Sequence, residues 1–204
     1  MRTKSSSSEQ TFIEAARRAQ IVRAAIETIA DLGYAKASFA RITERARLSS
    51  PGLISYHFTN KDELIQEVAA EIYATGGDLV RSHADGRSTA WGVLQAYVEG
   101  SVAFYATHRT HMAALIQILF HHPKAREGLF DAPNQAELDA LEALLIRGQR
   151  DGEFRSFPPR TMAVIIRQSV VGMMIKIVAE PDLDLDEYTR ELVTVCELAT
   201  RAAT

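Results

Sequence analysis

The sequence predicts an all-α chain, with a small three-helix unit at the N-terminus and a larger helical body behind it, about nine helices in all. Three observations carry this. Apolar residues recur at three- and four-residue spacing from Val22 onward, clusters of proline, glycine and aspartate punctuate those segments, and no run of alternating residues is long enough to require a strand. The 204 residues are 47% hydrophobic and 24% charged, which suits a packed globular chain. There is no internal repeat.

Met1 to Gln10 is polar and serine-rich, is expected to be a disordered arm, and contains no apolar stretch that would serve as a signal peptide or anchor. Thr11 with Glu14 reads as a capping box that starts the first helix. Val22, Ala25, Ile26 and Ile29 form its apolar stripe, and Gly33 after Leu32 stops it. Ser38 caps a second, short helix with Phe39, Ile42 and Ala46 inward and Arg41, Arg45 and Arg47 outside, a density of arginine that suits phosphate. Ser49, Ser50 and Pro51 open a third helix carrying Gly52, Leu53, Ile54, Ser55, Tyr56, His57 and Phe58. Asn60 with Glu63 caps a long fourth helix, which starts at Lys61 and ends at Asp85 and Gly86.

Trp91, Leu94, Val98, Val102 and Tyr105 mark a fifth helix. A sixth covers about 112–120, a seventh about 135–150, an eighth opens at Pro158 and Pro159, and a ninth covers 187–202. The apolar run Ala163 to Ala179, interrupted by Arg167, Gln168 and Lys176, falls short of the roughly 20 residues that span a bilayer and is expected to be a buried helix. The single cysteine, Cys196, excludes an intramolecular disulfide and a thiolate zinc cluster, and fits a reducing cytoplasm.

Charge divides the chain. Net charge is −3, yet the residues through Lys61 carry ten basic against five acidic side chains, and the remainder thirteen against twenty-one. A basic module beside an acidic body points to a local footprint for phosphate. Two short helices joined by a tight turn and packed on a first helix make a DNA-binding unit.

Gly33, Tyr34, Ser38, Ile42, Ala46, Gly52, Ile54, Tyr56, His57, Phe58, Lys61 and Leu64 together resemble the helix-turn-helix of the TetR (tetracycline-repressor-like) family of bacterial regulators. The resemblance covers about a quarter of the chain directly, and it departs from the usual pattern where Arg47, not glycine, follows Ala46 and where the stretch from Ile42 to Gly52 runs one residue long. It implies a helix-turn-helix domain over 11–61 and a ligand-binding and dimerisation domain over 62–204. The implied function is that of a homodimeric regulator, most often a repressor, on a palindromic operator in double-stranded DNA in the bacterial cytoplasm, released by a small-molecule effector.

The expected DNA-contacting residues are Ser38, Arg41, Arg47, Ser49, Ser50, Pro51, Gly52, Leu53, Ser55, Tyr56, His57 and Lys61. Small side chains at the start of the third helix let its backbone approach the major groove. Tyr56, His57 and Lys61 would reach phosphates, and Ser50, Pro51, Leu53 and Ser55 would face bases. None of those four is a strong base reader, so thymine methyl contacts and DNA shape are expected to contribute. The last two helices would pair with their copies through Ile166, Val170, Met174, Leu192, Val195 and Leu198, and set two recognition helices about 34–36 Å apart, one DNA turn.

Trp91, Tyr97, Phe104, Met112, Ile116, Phe120, Leu145, Met162 and Met173 are the candidates for an effector pocket, each of them also readable as ordinary core, and suit an apolar or aromatic ligand. His108, His111, His121 and His122 raise a metal reading that lacks carboxylate or cysteine partners at matching spacing. Phosphate-binding glycine loops, a nucleophile elbow and metal-ligand helices are missing, so neither an enzyme nor a cofactor is implied. A helical interaction protein that keeps the head without using it is the other reading; against it stand Arg41, Arg45, Arg47, His57 and Lys61.

Overall fold

The computed structural model describes residues 4–126, 131–180 and 182–202. Nine α-helices run through them: α1 (Lys4–Leu32), α2 (Phe39–Arg45), α3 (Gly52–His57), α4 (Lys61–Ala84), α5 (Ala90–Thr107), α6 (Arg109–His121), α7 (Asp131–Arg150), α8 (Pro159–Ala179) and α9 (Leu185–Thr200). Short 3-10 turns, Tyr34–Lys36 and Pro123–Arg126, follow α1 and α6. Among the described residues there is no strand, only an isolated bridge between Phe154 and Arg201.

The caps follow the chemistry of the sequence. Ser38 accepts from the Arg41 N–H, Asn60 from Glu63, Thr89 from Gly92, and Asp184 from Glu187. Gly33, Gly86 and Gly152 hold the left-handed conformations that stop or turn the chain. The start of α1 differs from expectation. It begins at Lys4, so residues 4–10 are helical rather than an arm, and Thr11 lies inside the helix. Neither glycine nor proline interrupts residues 4–10, and extending an existing helix costs far less than nucleating one.

The chain divides into two units, residues 1–72 with 113–127, and residues 73–112 with 128–204. The boundary therefore does not fall at Lys61, and the first unit includes most of α6. Within it the Lys124 ammonium donates to Asp62 at 2.6 Å, the buried His122 ring faces Asp62 at 3.4 Å and meets Tyr34 edge-on, and Gln117 touches Gly33. The core of this unit is Ile21, Ile29, Ile42, Ile54, Phe58 and Leu64, none of them accessible to solvent.

In the second unit α5, α7, α8 and α9 pack around Leu94, Val98, Leu145, Ala163 and Val170. Glu153, in the link between α7 and α8, accepts from the Ala90 and Trp91 N–H groups at 2.9 Å each and so satisfies the first turn of α5. Phe154 beside it lies against Gly148 so closely that a Cβ there would stand 2.2 Å from the ring. By length and apolarity α8 would cross a bilayer, but its inward face, with an ion-paired Arg167, forms part of this core.

Candidate nucleic-acid interface

The helix-turn-helix is held from behind by α1. Gln20 donates to the Ala46 carbonyl at the end of α2 at 2.7 Å, and Arg17 fixes the Gln20 amide at 2.7 Å. Arg18 donates to the His57 carbonyl at the end of α3 at 2.5 Å, lies 4.3 Å over the Phe58 ring, and pairs with Glu67 at 3.4 Å and Glu63 at 3.8 Å. Two carbonyls left open at helix C-termini are thus each satisfied by a side chain of α1. Sequence reasoning missed both clamps, because the partners lie 26 and 39 residues away and no local spacing marks them.

Arg47 takes φ +53°, the one non-glycine residue with positive φ among the described residues. The turn between α2 and α3 requires a left-handed residue here, which is why glycine is usual at this place and why arginine is a strained occupant.

The expected contact residues separate by accessibility. Ser38, Arg41, Arg47, Ser49, Ser50, Pro51, Gly52, Ser55 and Tyr56 are exposed, while Leu53 and His57 are half-buried. Tyr56 is 73% accessible and meets only His57, edge-on at 5.0 Å. Neither serine caps α3: Pro51 occupies the N-cap position with no side-chain hydrogen bond, since its own ring already sets the dihedral angle. Arg45 is drawn back onto α1 by Asp31 at 2.6 Å and Glu27 at 3.7 Å.

Lys61 is the larger correction. Its ammonium donates to the Tyr34 carbonyl at 2.9 Å and lies 4.2 Å over the Tyr34 ring, and burial pushes its pKa down. It ties α4 to the 3-10 turn after α1. What α4 offers an anion is its capped N-terminus, where Glu63 accepts from the Thr59 N–H at 2.7 Å.

The family model for bacterial regulatory proteins of the tetR family matches residues 21–68, the segment that builds this head. The HTH-type transcriptional regulator BetI 1 of Chromohalobacter salexigens is 34% identical over 111 residues, 52% of this chain and 54% of that protein. The chain belongs to the tetR family. It spans about half the length of the curated relatives it matches. The fold extends further than the identity. The tetR-family chain superimposes on a transcriptional regulator from Saccharomonospora viridis solved with choline (TM-score 0.77, 19% identity, 93% of this chain and 100% of that one). It superimposes as well on FadR of Bacillus subtilis solved with stearoyl-CoA (TM-score 0.77, 18% identity, 88% and 97%).

In the second unit of this tetR-family chain, Tyr97, Phe104, Met112, Leu145, Met162 and Met173 are buried and Trp91 is half-buried. Ile116 and Phe120 do not join them. Both belong to the first unit, and Phe120 is 67% exposed, because α6 turns that side of its surface outward. Two open grooves, of about 1040 and 520 Å³, are lined by other residues, among them Tyr188 with Glu187 and Val102 with Arg190.

Within the core stands a polar network. Arg167 donates from Nε to Glu137 at 2.7 Å and from Nη2 to Asn134 at 2.6 Å; the Tyr97 hydroxyl donates to Glu137 at 2.6 Å and that of Tyr73 to Asn134 at 2.8 Å. Burial raises the Tyr73, Tyr97 and Tyr105 pKa values, so all three hydroxyls stay protonated at neutral pH.

The expected dimer residues need correction. Ile166, Val170, Met174 and Leu192 are buried in their own unit, so they are committed before any partner arrives. Val164, Ile165 and Ile175 of α8 and Val195 and Leu198 of α9 are the exposed apolar residues there. Helix α8 is apolar on both faces, and sequence alone does not say which one its own core takes. The four histidines do not converge: His108 and His111 stack in the second unit, whereas His121 is exposed and His122 buried in the first. No three metal-ligating side chains group together among the described residues.

Proposed function

We propose that this chain is a homodimeric DNA-binding transcriptional regulator, a repressor that a small-molecule effector releases from a palindromic operator. The observation that carries the reading is the outer face of α3. Gly52, Ser55 and Tyr56 stand in solvent while Ile54 and Phe58 alone complete the core, so the exposed residues are not needed for folding. Small side chains at the front of the helix and an exposed tyrosine behind it suit close approach to the major groove with a flanking phosphate contact. Arg41 and Arg47 add charge beside it.

Dimerisation is supported by Val164, Ile165, Ile175, Val195 and Leu198, a cluster of exposed apolar side chains on the last two helices, for which burial against a copy is the ordinary remedy. Chains of this fold have been solved with molecules as different as choline and stearoyl-CoA, which supports a receptor role for the second unit.

The test is selection of bound genomic fragments at two salt concentrations, with mass measured on the same sample. Enrichment of a palindrome by a dimer, with affinity falling steeply as salt rises, is the expected result. A stable dimer that enriches no sequence overturns the reading.

A further inference from the structure

The polar network of the second unit is costly to keep. Arg167 is 7% exposed in a core otherwise built from aliphatic, aromatic and methionine side chains, and apolar residues in place of such a pair are often neutral or stabilising. Its donors and acceptors do not balance. Both Glu137 oxygens are taken, by Tyr97 and by Arg167, and the Asn134 oxygen accepts twice. Arginine carries five N–H donors. The bonds to Glu137 and Asn134 and the contact with Tyr73 use three. Two N–H groups of Arg167 and the Tyr105 hydroxyl then have no acceptor among the described residues. An incoming cation would meet Arg167 and find the carboxylate occupied. An incoming acceptor would find donors waiting.

We propose that Arg167 and Tyr105 form the headgroup end of the effector site, and that the effector is an amphipathic monoanion, a carboxylate on an apolar chain. This rests on the reading of the second unit as an effector receptor. The apolar chain lies among the neighbouring core residues, where the unbranched Met162 and Met173 yield most readily.

The test titrates octanoate, 1-octanol and octyltrimethylammonium into the full-length protein, read by the fluorescence of Trp91, the only tryptophan, and by Tm. Octanoate is expected to bind at least ten-fold more tightly than either of the others. Arg167→Met alone strands the Glu137 charge, so the informative variants are the double Arg167→Met/Glu137→Leu, which removes both charges, and Tyr105→Phe. The double variant is expected to lose octanoate affinity at least ten-fold and Tyr105→Phe about three-fold, with 1-octanol binding unchanged in both. Absence of octanoate binding, a preference for the cation, or undiminished octanoate affinity in a folded double variant overturns the proposal. Operator release is measured separately. Octanoate that binds through Arg167 but leaves DNA binding intact keeps the headgroup site and removes the inducer role, whereas release by a small-molecule extract from a protein that ignores octanoate does the reverse.

Discussion

Arg47 carries a backbone conformation that suits glycine, and a left-handed residue with a Cβ costs roughly 1–2 kcal/mol. Arg47→Gly relieves that strain but gives the unfolded chain more freedom, so a net gain of about 0.5–1 kcal/mol is expected in urea denaturation. Cys196 sets a different dependence. Its thiol is buried, and burial raises its pKa from 9.0 to about 11. The unfolded chain releases this proton first, so the contribution is complete below pH 9 and is lost as pH rises through about 11; two units correspond to roughly 2–3 kcal/mol. The stability difference between the natural protein and Cys196→Ala is expected to shrink by that amount across the window, which paired denaturation curves at pH 8 and 11 would read. At the interface, Tyr56→Ala removes an exposed ring, and DNA affinity should fall at all sequences with Tm unchanged. Lys61 marks a limit of sequence reading: position beside a helix start suggested a phosphate ligand, but the Tyr34 carbonyl that claims the ammonium is 27 residues away.

At the scale of helices, local chemistry was informative and packing direction was not. Caps at Ser38 and Asn60, stops at Gly33, Gly86 and Gly152, and prolines at the head of α8 are properties of neighbouring residues, and all are visible in the chain. The inward face of α8 is not, since Ile165 and Ile166 are equally apolar and only the assembled core distinguishes them. The α1 clamps were equally hidden. Arg18→Ala should destabilise the head by about 1 kcal/mol, given its partial exposure, and lower operator affinity further by freeing the end of α3, which thermal denaturation and a DNA titration would separate. Gly148 permits a close approach that no other residue allows. Gly148→Ala drives a methyl group into the Phe154 ring and should cost about 1–3 kcal/mol by calorimetry, with Glu153 pulled from the start of α5.

For the whole molecule, the exposed residues of α8 and α9 make the assembly testable without DNA. Ile165→Glu with Ile175→Glu should leave the helices folded and give a species of 22.6 kDa rather than its double in light scattering, and operator binding should fail with it. Unchanged dimer mass would move the interface elsewhere. The isolation of Cys196 makes one further measurement simple. Because its only sulfhydryl is inside the protein and protonated, the chain is chemically silent toward maleimides and methanethiosulfonates under native conditions. A cysteine placed at exposed Ser55 would then take a spin label alone, one per copy, and dipolar coupling between the two labels would report the span of the paired recognition helices, about 34–36 Å on an operator, in solution and with effector added.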